Sequence, residues 1–302
     1  MKYKLTDNTL EINGHILYRI EALIDFNNVK KGDKGGWIEK ESNLSQKGSC
    51  WVYDNAVVYG NAVVCDNAIV CDNALVCENA LVGGNAVVCH KAEVRNNAVV
   101  HGNAKVCGKA VVSDNAIVRG NAKVYDNAFV YDNAAVRANA VVCDNARVCS
   151  NAVVRGDCWV FDKAKVCAYA VVRGDARVCG NALVCGSAIV SDNAKVCGKA
   201  VVSDNAKVCA YAVVHGDARV CGNANICGDA IIEKMGDYIV FQNLWSSGRF
   251  FTYTKSNNMW KVGCFYGTSE ELIKKAYADS EEKGKCYSET VRYIENIFDI
   301  IQ

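Results

Sequence analysis

The chain has 302 residues, with 34 Lys and Arg against 33 Asp and Glu, a formal charge of +1. That balance provides neither a polycationic surface nor an acidic tail, so no specific nucleic-acid partner is expected. The apolar runs fall far short of the roughly 20 residues that span a bilayer, so no membrane partner is expected either. Eighteen cysteines, behind a start (MKYKLTDNTLEINGH) that lacks an apolar leader, read as reduced thiols of a cytoplasmic protein.

Residues 1–50 read as an N-terminal β cap. LEINGHILYRIEALIDF places an Asn-Gly turn between two apolar strands. From Val52 to Ile232 an aliphatic residue then recurs every six positions through 31 registers without insertion or deletion, Val in all but Ile226 and Ile232. A small residue precedes each aliphatic by two positions, Ala in nearly every case and Cys at Cys50 and Cys158. Residues two apart share one side of an extended segment, so Ala and Val point inward together. The Asp/Gly-Asn pair between them marks a corner, because these residues best tolerate positive φ.

A strand this short cannot bury its Val alone. Three of them close a triangular coil of 18 residues, and stacked coils satisfy each other's backbone groups. Residues 51–233 therefore predict an all-β parallel β-helix of about ten coils, roughly 48 Å long at about 4.8 Å per coil. Residues 234–302 lose the repeat and read as a small α+β cap. Three strands are expected in YIVFQNL, RFFTYTK and MWKVGCF, and a capping box at Thr268 to Glu271 opens a helix over 269–279. A second helix is expected over 289–301, with Val291, Ile294, Ile297 and Ile301 on one face.

The repeat, with the opening stretch YRIEALIDFNNVKKGDKGGWIEKESNLSQKGSC and the tail GRFFTYTKSNNMWKVGCFYGTSEELIKKAY, resembles hexapeptide-repeat proteins of bacteria and phages that are labelled acyltransferases. The resemblance implies a left-handed winding. It also implies acetyl-CoA or another acyl-CoA as cofactor and a histidine base two positions after an aliphatic residue, a slot filled here by His90 alone. The repeat has no interrupting loop of the kind that covers an active site in such enzymes.

An 18-residue stride sorts outward side chains into columns. On the third face it stacks Cys65, Gly83, His101, Arg119, Arg137, Arg155 and Arg173, beside an apolar stripe that includes Val99, Ile117, Val153 and Val171. Guanidinium forks suit carboxylate or phosphate groups, and a long apolar stripe suits a contact face. The other thiol columns, Cys71, Cys89 and Cys107 on the first face and Cys149, Cys167 and Cys185 on the second, lack the spacing of a closed zinc site, and no metal is assigned.

Long internal copies also bear on function. NAKVCGKAVVSDNA recurs at an offset of 90, on the same face, but KVCAYAVV followed by GDARVCGNA recurs at an offset of 42, on another. Length and stacking are thus repeated more faithfully than any one chemical constellation. Two readings stand. One is a non-enzymatic scaffold or binding protein without a cofactor, self-associating as a homo-oligomer and capturing an anionic small molecule or protein partner along the arginines. The alternative is an acyl-CoA-dependent acyltransferase with His90 as base.

Overall fold

The computed structural model describes residues 1–245 and 247–300, so Ile301 of the expected second helix lies outside the described residues. From Trp51–Val52 to Ile231–Ile232 the chain lays down 31 short strands, one per hexad. Each pairs in parallel with the strand one turn on, as in Trp51↔Ile69, Val58↔Val76 and Val99↔Ile117, and the pairs build three flat sheets around a prism. The inward Val and Ala side chains are 0–1% exposed along the whole length, and Cys158 fills an Ala place at 0%. Most wall segments are only two residues long, and their backbone groups are satisfied by the turns above and below.

The corners divide labour between the two residues of each pair. The first takes positive φ: 58° at Asp66, 61° at His90, 77° at Gly102, 60° at Ala138. The Asn that follows does not. Its amide instead donates to the Asn one turn on. One such ladder runs Asn67, Asn85, Asn103, Asn121, Asn139 at 2.9–3.1 Å per rung and ends on Asp157 at 2.7 Å. The sequence expectation of a two-residue positive-φ corner is corrected accordingly. The second residue is selected for its amide, which can both donate and accept along the stack.

The winding begins earlier than Trp51 and makes about eleven turns rather than ten. The strand Lys34–Ile38 pairs in parallel with Val57 and Val58, and Leu44 bridges Val64 in parallel. This first turn has a stride of 20 residues, because the segment between Leu44 and Cys50 holds two extra ones. It can lie flat on the next turn because Gly36 carries no side chain; a Cβ there would stand 2.5 Å from the Ala56 carbonyl. The strands Tyr3–Ile12 and His15–Ala22 form the expected hairpin, with positive φ at Asn13 and Gly14, and add antiparallel to Lys34–Ile38. Tyr3 and Phe26 close the open end against Trp51, edge to face at 6.1 and 5.3 Å.

At the other end the strands Tyr238–Gln242, Phe250–Thr254, Met259–Val262 and Phe265–Gly267 make an antiparallel meander. It has four strands where the sequence suggested three, because MWKVGCF folds back at Gly263, which takes positive φ. Helix α1 spans Ser269–Asp279 with the capping box at Thr268 and Glu271, and α2 spans Glu281–Ile300. The eight earliest residues of α2 carry no apolar period and so escaped the sequence reading; Gly284 there lies against the Tyr277 ring of α1. Side chains of this unit cover the last open edge: Thr252 Oγ1 accepts from Asn225 N at 2.9 Å and Ser256 Oγ from Ile231 N at 2.7 Å. No helix among the described residues is long and apolar enough to cross a membrane.

Filling the prism rather than lacing its corners is expected to dominate stability. Ala122→Leu, overpacking a fully buried place, should cost about 1–3 kcal/mol. Asn121→Ala, removing an exposed rung, should cost no more than about 0.5–1.5 kcal/mol. Denaturant midpoints of the two variants check this; a larger loss for Asn121→Ala would reverse the ranking.

Candidate functional site

On the third face the expected column is realised. The strands Val99–Gly102, Ile117–Gly120, Ala135–Ala138 and Val153–Gly156 are four residues long, against two elsewhere in the prism. The longer pairing carries the outward residues into register, His101 opposite Arg119 and Arg137 opposite Arg155. Arg119, Arg137, Arg155 and Arg173 line a shallow groove of about 470 Å³, with Gly120, Ala138, Gly156 and Gly174 on its floor. The small corner residues leave the space that the guanidinium groups overlook.

Among the described residues no side-chain hydrogen bond or ion pair engages any of the four guanidinium groups, and Arg137 Nε is buried without a partner. Asp157, which follows Arg155 in sequence, is engaged by Asn139. Neighbouring arginines a strand spacing apart repel by about 0.9 kcal/mol per pair in water, and by more where the dielectric falls. The apolar stripe beside them is mostly half-buried: Val99, Val153 and Val171 are partly covered, and Ile117 is 39% exposed.

His101 opens the column, but its ring leans away from the arginines. Its Nε2 lies 3.7 Å from Asp66 Oδ2, two turns back. Gly83 stands in the turn between them, and a Cβ there would lie 3.0 Å from both the His101 ring and Cys65 Sγ. The missing side chain is what lets residues 35 positions apart meet. Asp66 Oδ2 is held by the Gly84 amide at 2.8 Å, and Cys65 Sγ lies 3.7 Å from it. Sequence reasoning missed Asp66, although Cys65, Gly83 and His101 were already in one column; the signal was the glycine between them.

His90 lies elsewhere, at a corner of the first face. Its side chain is 67% exposed, its Nδ1 is 3.2 Å from Cys89 Sγ and 4.0 Å from Asp72 Oδ2, and its backbone N–H donates to Asp72 at 2.9 Å. The fold does not bring it to the arginine groove. Burial pushes the Cys71 thiol up to about 11 and raises that of Cys89, which also meets Cys107. At the last turns Cys209 Sγ donates to Cys227 Sγ at 2.8 Å, which lowers the Cys227 thiol and raises its partner. The interior Cys158 is pushed up to about 12 by burial.

The fold and its surface columns define a parallel β-solenoid protein with three strands per turn and capped ends. A family model described as the YdcK β-solenoid repeat matches residues 52–66 and 176–192. The chain is also similar to a protein of Escherichia coli (strain K12) named uncharacterized acetyltransferase YdcK, 46% identical over 43 residues. Those residues are 14% of this chain and 13% of the relative, so the chain spans about an eighth of the length of the curated relative it matches.

Thiol chemistry should follow these environments. A lowered pKa leaves more thiolate at a given pH, so at pH 7 Cys227 should be alkylated faster than its raised partner Cys209, whereas Cys158, sealed in the prism at 0% exposure, should react only on unfolding. Peptide mass spectrometry after timed alkylation checks this; equal rates at pH 7 would contradict it.

Proposed function

We propose that the protein is a solenoid scaffold that binds an anionic ligand or partner along the arginine ladder. The observation that carries the reading is the row of four unpaired guanidinium groups over a groove with a floor of small residues, Arg137 Nε buried among them. Their mutual repulsion is relieved by a ligand that offers carboxylate or phosphate oxygens at strand spacing, each arginine presenting a planar fork. Self-association is part of the same reading. The stripe of Val99, Ile117, Val153 and Val171 offers apolar contact, but two bare ladders repel, so copies meet through this face with an anion between them.

Arg137→Glu with Arg155→Glu tests the reading. The wild-type protein should be retained on a phosphocellulose column to a higher salt concentration than the double variant, and should shift to larger size on a sizing column when polyphosphate is added. Identical elution on both columns would leave the ladder a solvated face.

A second reading, acyl transfer from acetyl-CoA or another acyl-CoA, draws support from the partial likeness to the acetyltransferase-named relative and from the pairing of His101 with Asp66. In this reading the arginines hold the phosphates of the acyl carrier. His101, its Nε2–H turned to Asp66, takes the acceptor's proton on Nδ1, and the contact with Asp66 shortens in the working complex. The base is then His101 rather than the His90 of the sequence expectation, because His90 stands on a different corner. Acyl-CoA turnover should fall at least about 100-fold in His101→Ala, the lower bound for a general base, and persist in His90→Ala. Turnover equal to background in the wild-type protein, or unchanged in His101→Ala, ends this reading.

A further inference from the structure

We propose that Cys71, Asp72, Cys89 and His90 form a site for a thiophilic divalent cation of the zinc class on the first face, independent of the arginine ladder. The linear sequence conceals the site. Its ligands come as two adjacent pairs on neighbouring turns, 18 residues apart, and only the stacking of turns brings them together.

The geometry suits a tetrahedral ion. With metal–sulfur bonds of about 2.3 Å and metal–nitrogen bonds of about 2.0 Å, ligand atoms at tetrahedral angles stand roughly 3.3–3.8 Å apart. Here Cys71 Sγ is 3.7 Å from Asp72 Oδ2, and His90 Nδ1 is 3.2 Å from Cys89 Sγ and 4.0 Å from Asp72 Oδ2. Cys71 Sγ, a carboxylate oxygen of Asp72 and Cys89 Sγ all lie within 4.8 Å of one another. Small side-chain rotations close these three around one ion, and a turn of the exposed His90 ring, which lies outside that group, supplies the fourth ligand. Two thiolates, an imidazole and a carboxylate satisfy four coordination positions, and the soft thiolates with the borderline imidazole favour Zn²⁺ over Mg²⁺ or Ca²⁺ despite the one hard oxygen.

The surroundings hold the ligands in place. The Asp72 carboxylate is fixed by the His90 backbone N–H at 2.9 Å, and the corner backbone of His90, at φ 61°, turns its ring back towards Cys89. Cys89 is 8% exposed, and Cys107 stands next in the column as a further thiol beside it. Binding replaces the two thiol protons, which pass to solvent, with one cation shared between two turns. His90 thus acquires a role that its exposed corner position does not otherwise explain.

Cobalt(II) is the probe. Protein stripped of metal under reducing conditions and titrated with Co²⁺ should develop thiolate-to-cobalt charge-transfer absorption together with the intense visible bands of tetrahedral Co²⁺, saturating at one equivalent. The double variant Cys71→Ser with Cys89→Ser should lose both signals. Cys167→Ser, in the thiol column of the second face, should keep them. His90→Ala alters only an exposed side chain and should therefore fold, and it should weaken Co²⁺ at least tenfold. A tetrahedral thiolate spectrum that survives the double variant, an affinity unchanged in His90→Ala, or no such spectrum in the wild-type protein overturns the proposal.

Discussion

Each turn of the solenoid is held by backbone hydrogen bonds that step from one residue to the carbonyl 17 positions later, as from Val57 N to Ala74 O at 2.9 Å and from Tyr53 N to Val70 O at 2.8 Å. This stride fits only if the prism has constant cross-section. A Val and an Ala per hexad supply that constancy, since every interior layer then has the same volume. An extra residue anywhere would shift each following side chain to another place on the perimeter. The two extra residues before Cys50 are tolerated because they fall in the first turn, under the N-terminal hairpin.

Because the core is invariant, chemical variety is confined to the outward slots and corners. A residue's meaning is set there by its vertical neighbours rather than by its sequence neighbours. Arg119 and Arg137 are ordinary surface arginines in the linear chain; stacked, they become half of a cationic row. His101 reaches Asp66 because the residue between them in the column is glycine, and His90 faces Cys89 and Asp72 because its corner turns the ring back. The arginine column, headed by His101, and the cluster around His90 lie on separate parts of the surface.

The caps follow a different logic from the coils. Each end exposes a ring of unpaired strand groups that would otherwise recruit another chain. At the first turn a hairpin and three aromatic rings cover it. At the last turn hydroxyl groups of Thr252 and Ser256 accept from the exposed backbone amides. Both solutions use residues outside the hexad, and at the N-terminal end a whole first turn, from Lys34, also lies outside it.

The sequence alone determined the parallel prism, the inward and outward sorting of side chains and the arginine column, because a strict hexad admits few ways of burying its Val; the first turn, which lacks the hexad, was hidden within the expected N-terminal cap. It also located the hairpin turn and the start of α1, both of which rest on local chemistry. Contacts that depend on side-chain direction across turns were left to the tertiary structure: the pairing of His101 with Asp66 over Gly83, the approach of His90 to Cys89 and Asp72, the Asn ladders, and the fourth strand and early start of α2 near the C-terminus. A period states which residues are stacked, but rotamers and missing side chains decide which of them touch.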